Sequence, residues 1–218
     1  MVKRKVSNPL ALAVMSYLTT RPMHRYDLVR TLEANDDGRS VKFTPASVYM
    51  VVEQLEKAGF IEEKEKLRTG GYPERILYAL TTEGRAECRD WLQSLISDPE
   101  HEYPHFVLAL SLIGALEPDD AVRLLDERRR RAQDLQAKDR ASMESALAGG
   151  LPPLFLVDEK YRLMLLDAEL AFITGLISDI TNPETGWARP WAAHLAQGRS
   201  PSTQAPSTAE ERPDDRTH

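Results

Sequence analysis

Thr44-Pro45 begins the segment that most limits what this chain can fold into. Threonine is a good helix cap, and proline fits the first helical turn. The apolar residues that follow are Val48, Val51, Val52, Leu55 and Ala58. They recur at i, i+3, i+4, i+7 and i+10, the period of a helix with one buried face. Gly59 supplies a stop. A short helix with a single apolar stripe cannot stand alone in water, so its neighbours must cover that stripe.

The neighbours have matching signals. Asn8-Pro9 starts a helix whose inner face carries Leu10, Val14, Tyr17 and Leu18, and Arg21-Pro22 ends it. Tyr26, Leu28, Val29 and Leu32 give a second short helix, closed by Asp36-Asp37-Gly38. After Gly59 the pattern changes. Phe60-Ile61 opens a strand running to Leu67, and Arg68 to Pro73 is turn-rich around Gly70-Gly71. Arg75 to Leu80 then reads as a returning strand. Thr81-Thr82-Glu83 caps a fourth helix bearing Ala86, Trp91, Leu92 and Leu95. Three short helices followed by a β-hairpin make a winged helix-turn-helix, in which the last helix of the trio can enter the DNA major groove.

The second half is helical. Phe106–Leu116, Ala121–Leu147 and Leu154–Ile180 are apolar-periodic, with a break at Gly149–Pro153. Two long helices joined by a Gly-Pro turn form an antiparallel pair that can associate with its own copy. From Pro183 on, five prolines stand among Ser, Thr, Gln and Gly, and such a segment buries too little apolar surface to offset its ordering entropy. Trp187 and Trp191 are its exceptions, able to dock locally. The expected fold class is therefore mainly α with a small β-hairpin wing. The expected domains are a winged helix over 1–98, a helical dimerisation domain over 99–182 and a largely disordered tail over 183–218.

Charge at first opposes a nucleic-acid partner, because the whole chain carries −6. Residues 1–82 hold 13 Lys and Arg against 10 Asp and Glu, a balance of +3. Residues 83–218 hold 15 against 24, a balance of −9. The acid lies mostly outside the winged-helix segment.

Other chemistries find little support. Cys88 is the one cysteine, so neither an internal disulfide nor a sulfur-rich metal site is possible. The uncharged stretches Val6–Thr20 and Tyr103–Leu116 are shorter than the roughly 20 residues of a membrane span, and each holds a proline. Lys3-Arg4-Lys5 ahead of Leu10–Leu18 has the outline of a secretory leader, but Thr19-Thr20-Arg21-Pro22-Met23 offers no small-residue cleavage site. The expected location is cytoplasmic. His101 and His105 have a metal-like i, i+4 spacing that Pro104 disrupts. No phosphate loop and no Ser/His/Asp or Cys/His set is recognisable. No catalysis, metal or cofactor is expected.

Three segments resemble the PadR family of bacterial transcriptional regulators. Arg21-Pro22-Met23-His24-Arg25-Tyr26-Asp27-Leu28 is similar to the family's turn into its second helix. Thr44-Pro45-Ala46-Ser47-Val48-Tyr49, continuing through Leu55-Glu56-Lys57-Ala58-Gly59-Phe60-Ile61, is similar to its recognition helix. Arg75-Ile76-Leu77-Tyr78-Ala79-Leu80-Thr81-Thr82-Glu83-Gly84-Arg85 is similar to its strand after the wing and the helix start that follows. Residues 100–180 resemble, more weakly, the helical C-terminal domain of longer members. Arg25 stands where that family usually has glycine, and Ala79 where arginine is frequent.

The resemblance implies a homodimeric repressor that binds an inverted-repeat operator and is released by a small-molecule effector, with an aromatic one as the candidate. On the reading helix the DNA candidates are Thr44, Ser47, Tyr49, Met50 and Gln54. Gln54 can pair with adenine and Met50 can touch a thymine methyl, while Glu53 and Lys57 share their exposed face. Lys42, Arg25, Arg68, Tyr72 and Arg75 are candidates for phosphate or minor-groove contact, and Lys3, Arg4 and Lys5 are either a phosphate-binding arm or an ordinary basic N-terminus. Arg128 to Arg131 read as a solvated face paired with Asp126, Glu127 and Asp134. Trp91 has two readings, a platform for an aromatic effector or a packing anchor, and Cys88 reads as a buried thiol. Two other functions stay open: a winged helix that binds a protein, and a small-molecule-modifying enzyme.

Overall fold

The computed structural model describes residues 4–67 and 75–198. The chain divides into two units that meet between Glu102 and Tyr103.

The first unit runs α1 (Pro9–Leu18), β1 (Met23–His24), α2 (Arg25–Ala34), α3 (Pro45–Lys57), β2 (Ile61–Leu67), β3 (Arg75–Leu80) and α4 (Thr82–Ser97). The two expected strands gain a third, giving the antiparallel order β1-β3-β2. Met23 pairs with Tyr78, and Ile61 pairs with Leu80. A two-residue strand carries no alternation, so β1 leaves no periodic mark in the sequence. A register shift between Glu63 and Glu65 bends β2.

The caps explain the helix starts. Asn8 Oδ1 accepts from the Leu10 amide at 3.0 Å. The Thr44 hydroxyl accepts from the Ser47 amide at 3.2 Å, and Ser47 Oγ accepts from the Thr44 amide at 2.8 Å. This reciprocal box satisfies two amides that a helix end would leave open. The Thr81 hydroxyl accepts from the Gly84 amide at 3.0 Å and donates to the Gly59 carbonyl at 2.8 Å. The Thr81 amide also donates to the Phe60 carbonyl at 3.0 Å.

The inner faces meet as their spacing requires. Leu10, Val14, Met15 and Leu18 of α1 pack with Leu28 and Leu32 of α2, Val48, Val52 and Leu55 of α3, and Tyr78 of β3. Cys88 and Trp91 close the cluster from α4. Each large side chain so buried contributes about 1.5–3 kcal/mol. Burial, then the neighbouring Glu87 charge, raises the pKa of the Cys88 thiol, which disfavours the reactive thiolate.

Tyr17 sits at the edge of this core. Its hydroxyl donates to the Asp37 carboxylate and accepts from Asn35 Nδ2 at 2.8 Å. Burial first, then the hydrogen bond to Asp37, raises its pKa from 10.0 to about 12. The fold thus favours the protonated phenol. Its contribution is complete below pH 10 and is lost as pH rises towards 12. Urea midpoints measured from pH 9 to 12 should therefore fall more steeply for the wild type than for Tyr17→Phe. Parallel curves would show that the phenol and Asp37 are not coupled.

The second unit contains α5 (His105–Ser111), α6 (Pro118–Ala148), α7 (Val157–Thr181) and α8 (Ala188–Ala196). A 3-10 turn over Ile113–Ala115 shortens the first expected helix. Helices α6 and α7 run antiparallel, tied by Arg128 Nε to Glu169 at 2.6 Å and by Arg140 to Asp167 at 3.6 Å. Leu125, Ile173 and Ile180 form the core, with Phe106, Ile113, Leu176 and Trp191 against it.

Helix α8 lies within the segment expected to be largely disordered from residue 183, and it follows Trp187 and contains Trp191, the two residues expected to dock locally. Composition averaged over 183–218 hides the local pattern. Asn182 Oδ1 accepts from the Glu184 and Thr185 amides at 2.9 and 3.0 Å, turning the chain. A Cβ on Gly186 would stand 2.3 Å from the Asn182 carbonyl oxygen, so only glycine fits there. Trp191 then packs on the core, and its Nε1 donates to the Gly114 carbonyl at 3.3 Å.

The arginine run on α6 is paired, as expected, with Asp126 and Glu127. Arg128 turns instead to Glu169 and lies 3.6 Å from the Phe106 ring centroid. Among the described residues no helix is long and apolar enough to cross a membrane.

Candidate nucleic-acid interface

Helix α3 has two unlike faces. Val48, Val51, Val52 and Leu55 are buried, while Tyr49, Met50, Glu53, Gln54 and Lys57 are exposed. The exposed set falls at i, i+1, i+4, i+5 and i+8, which is one helical face. Met50 is 56 % exposed and Tyr49 38 %. Lys42 is also exposed, just ahead of the helix.

Thr44 and Ser47 have a prior engagement. Their hydroxyls build the α3 cap, and Ser47 Oγ also donates to the Thr44 carbonyl at 2.8 Å. Both fix where the reading face starts. The part of the face left free for a base edge is Tyr49, Met50 and Gln54.

Arg25 is half-buried and committed. Its guanidinium donates to the Tyr78 hydroxyl at 2.6 Å and to Glu53 Oε1 at 3.2 Å, and lies 5.2 Å from the Tyr78 ring centroid. A residue expected to meet phosphate thus braces α2 against β3 and α3. The pairing also partly neutralises Glu53, the one acid on the reading face.

The wing lies at the limit of what is described. Arg68 and Tyr72 fall outside the described residues, and Arg75 opens β3, where its backbone pairs with Leu67. Arg4 of the basic N-terminus is already engaged within the fold. Its guanidinium meets Glu87 at 2.7 Å and Asp90 at 2.9 Å, and so docks on α4. Lys3 falls outside the described residues.

Trp91 is 6 % exposed within the core, and the Arg4 guanidinium stands 5.3 Å from its ring centroid. This is the geometry of a packing anchor. A flat molecule would have to displace Arg4 to stack on that face. Among the described residues, no cluster of His, Cys, Asp or Glu could hold a metal ion.

Tyr26 and Arg30 on α2 were not among the expected contacts. Tyr26 is 60 % exposed and the Arg30 guanidinium is 5.9 Å from its ring centroid. The first helix of a helix-turn-helix crosses the DNA backbone, and this pair occupies its solvent face. The i, i+4 spacing of an aromatic and a cation was the signal available in the sequence.

Comparison with known proteins fits this arrangement. The transcriptional regulator PadR-like family matches residues 14–90, from α1 through most of α4. Among solved structures, the chain is similar to Bacillus subtilis PadR in complex with operator DNA. The identity is 22 % and the TM-score 0.57, over 76 % of this chain and 99 % of that one. It is similar to Bacillus subtilis PadR in complex with p-coumaric acid at 18 % identity and a TM-score of 0.61, over 79 % and 97 %. A PadR-like transcriptional regulator of Bacillus cereus is 14 % identical with a TM-score of 0.54, over 78 % and 96 %. No curated protein matches the chain. Residues 14–90 are therefore a PadR-like domain, and the chain carries the fold of a transcriptional regulator.

Proposed function

We propose that this chain is a homodimeric repressor that reads an inverted-repeat operator through α3 of each copy and leaves it when a small aromatic effector binds. The observation that carries this reading is the face of α3. Tyr49, Met50 and Gln54 stand exposed on a helix whose other side is locked in the core. The similar Bacillus subtilis PadR was solved with operator DNA, which supports the same use here. Gln54 would pair with adenine and Met50 would meet a thymine methyl. Arg68, Tyr72 and Arg75 of the wing, with Lys42 and Arg30, would hold backbone phosphates. Such a regulator works in the cytoplasm.

A second copy has a surface to meet. Val157, Tyr161, Met164, Leu165 and Phe172 on α7 are all at least half exposed. They follow spacings of three, four and seven residues, so they line one stripe of the helix. Two joined heads related by a two-fold axis demand a two-fold symmetric site.

The test is binding to the protein's own upstream DNA across a salt series. Gln54→Ala should lose about 1–3 kcal/mol for the specific site and relax base choice at one position in each half-site. Arg75→Ala should weaken all sequences alike and lower the salt slope by about 1. Absence of specific, salt-sensitive binding to any genomic fragment overturns the reading.

A further inference from the structure

The α6–α7 hairpin leaves apolar surface unmatched at both of its ends. At the open end, a cavity of about 570 Å³ lies between the 3-10 turn after α5, the end of α7 and α8. Ile113, Leu176, Ile180, Trp187 and Trp191 line it, and no Asp, Glu, Lys or Arg does. At the closed end, residues 149–156 turn the chain from α6 into α7 without one charged side chain. Leu154 is 72 % exposed there and Phe155 65 %. An apolar tip held in water and an uncharged apolar cavity are complementary. One chain cannot join them, because the 25 residues of α7 keep them roughly 35 Å apart.

We infer that the Leu154–Phe155 tip of one copy seats in this cavity of a second copy, and the second tip in the first cavity. The inference rests on the pairing of copies through α7 proposed above and fixes its register. Residues 155 and 176 are equidistant from the point between Leu165 and Leu166. A two-fold axis there runs the two α7 helices antiparallel and sets each Phe155 beside Leu176 of the other copy. The exposed stripe fits the same axis. Val157, Tyr161 and Met164 lie before it, and Ala168, Ala171 and Gly175 after it, all exposed and at spacings of three and four. The bulky half of each stripe therefore meets the small half of the other. Gly175 has no reason within its own chain: a Cβ there would meet nothing within 4 Å, and glycine weakens a helix interior. Close approach of a second backbone supplies the reason. Leu176 follows Phe172 by four residues, so the cavity adjoins the stripe. The seven large apolar side chains exposed between Leu154 and Phe172 are each at least half open to solvent. Together they present on the order of 800 Å² per copy, about what each partner buries in a standard interface.

The experiment uses the full chain in two ways. Chains with Phe155→Cys and chains with Trp187→Cys are co-expressed under different tags and oxidised. A disulfide should link one chain of each kind, and neither variant alone should form it. Cys88 is buried and does not compete. Sedimentation equilibrium then measures the dimer. Phe155→Ala should raise its dissociation constant about 100-fold, roughly tenfold for each of the two tips. Trp187→Ala, at a half-exposed position, should act in the same direction. The two changes together should lose little more than the larger alone, the mark of one shared contact. A wild type that sediments as a monomer, or a dimer that survives glutamate at both Leu165 and Phe172, overturns the α7 pairing and this inference with it. A dimer that depends on Leu165 and Phe172 but gives no mixed disulfide, or is indifferent to Phe155→Ala, overturns the seating of the tip alone and leaves the cavity to another occupant.

Discussion

Gly84→Ala is expected to destabilise the first unit by about 3 kcal/mol or more, beyond the usual range for a single added methyl. A Cβ at residue 84 would lie 1.9 Å from the Phe60 carbonyl oxygen and 2.8 Å from its carbon. Both are backbone atoms, so no rotamer change relieves the clash. The oxygen is also held, because it accepts the Thr81 amide at 3.0 Å. Either α4 leaves the sheet or that bond breaks. Gly59→Ala is the control. Its φ is +79° but its Cβ would meet open space, so it should cost only about 1 kcal/mol. Urea unfolding of both variants separates the two outcomes through the midpoint at constant slope. A Gly84→Ala loss no larger than that of Gly59→Ala would mean that α4 shifts freely.

The second large effect concerns association. Leu165 and Phe172 are 52 % and 50 % exposed on the α7 stripe. Changing both to glutamate should leave the fold intact and yield a monomer in sedimentation. Operator affinity should then drop by about 10²–10⁴-fold, because one head no longer holds the other at high effective concentration. A variant that stays dimeric places the interface elsewhere. A monomer with full affinity would show that one head suffices.

Much of the first unit was legible because its signals are local. Caps at Asn8, Thr44 and Thr81, and stripes such as Val48, Val52 and Leu55, state where helices start and which side is inward. What escaped depends on partners distant in sequence. Met23 and His24 become a strand only because β3 passes beside them. Arg25 and Arg4 read as phosphate ligands because they are cations near a basic segment. Their partners within the fold, Glu53, Tyr78, Glu87 and Asp90, lie 28 to 86 residues away. Helix α8 escaped for the opposite reason. Its prolines and small residues resemble a linker, and only the docking of Trp191 makes nine residues worth ordering. The exposed reader side chains were legible because solvent exposure on a helix follows directly from its period.

Thr81 also bears on motion. Its amide holds Phe60, and its hydroxyl holds both Gly59 and Gly84. One residue therefore rivets the last turn of α3, the root of the hairpin and the first turn of α4. With three such bonds at one point, the helices behave as the two arms of a bell crank. Through these bonds a displacement of the first turn of α4 is expected to be passed to the end of α3. The head is then expected to tilt as a whole, so that its grip on a surface would change by angle rather than by loosening.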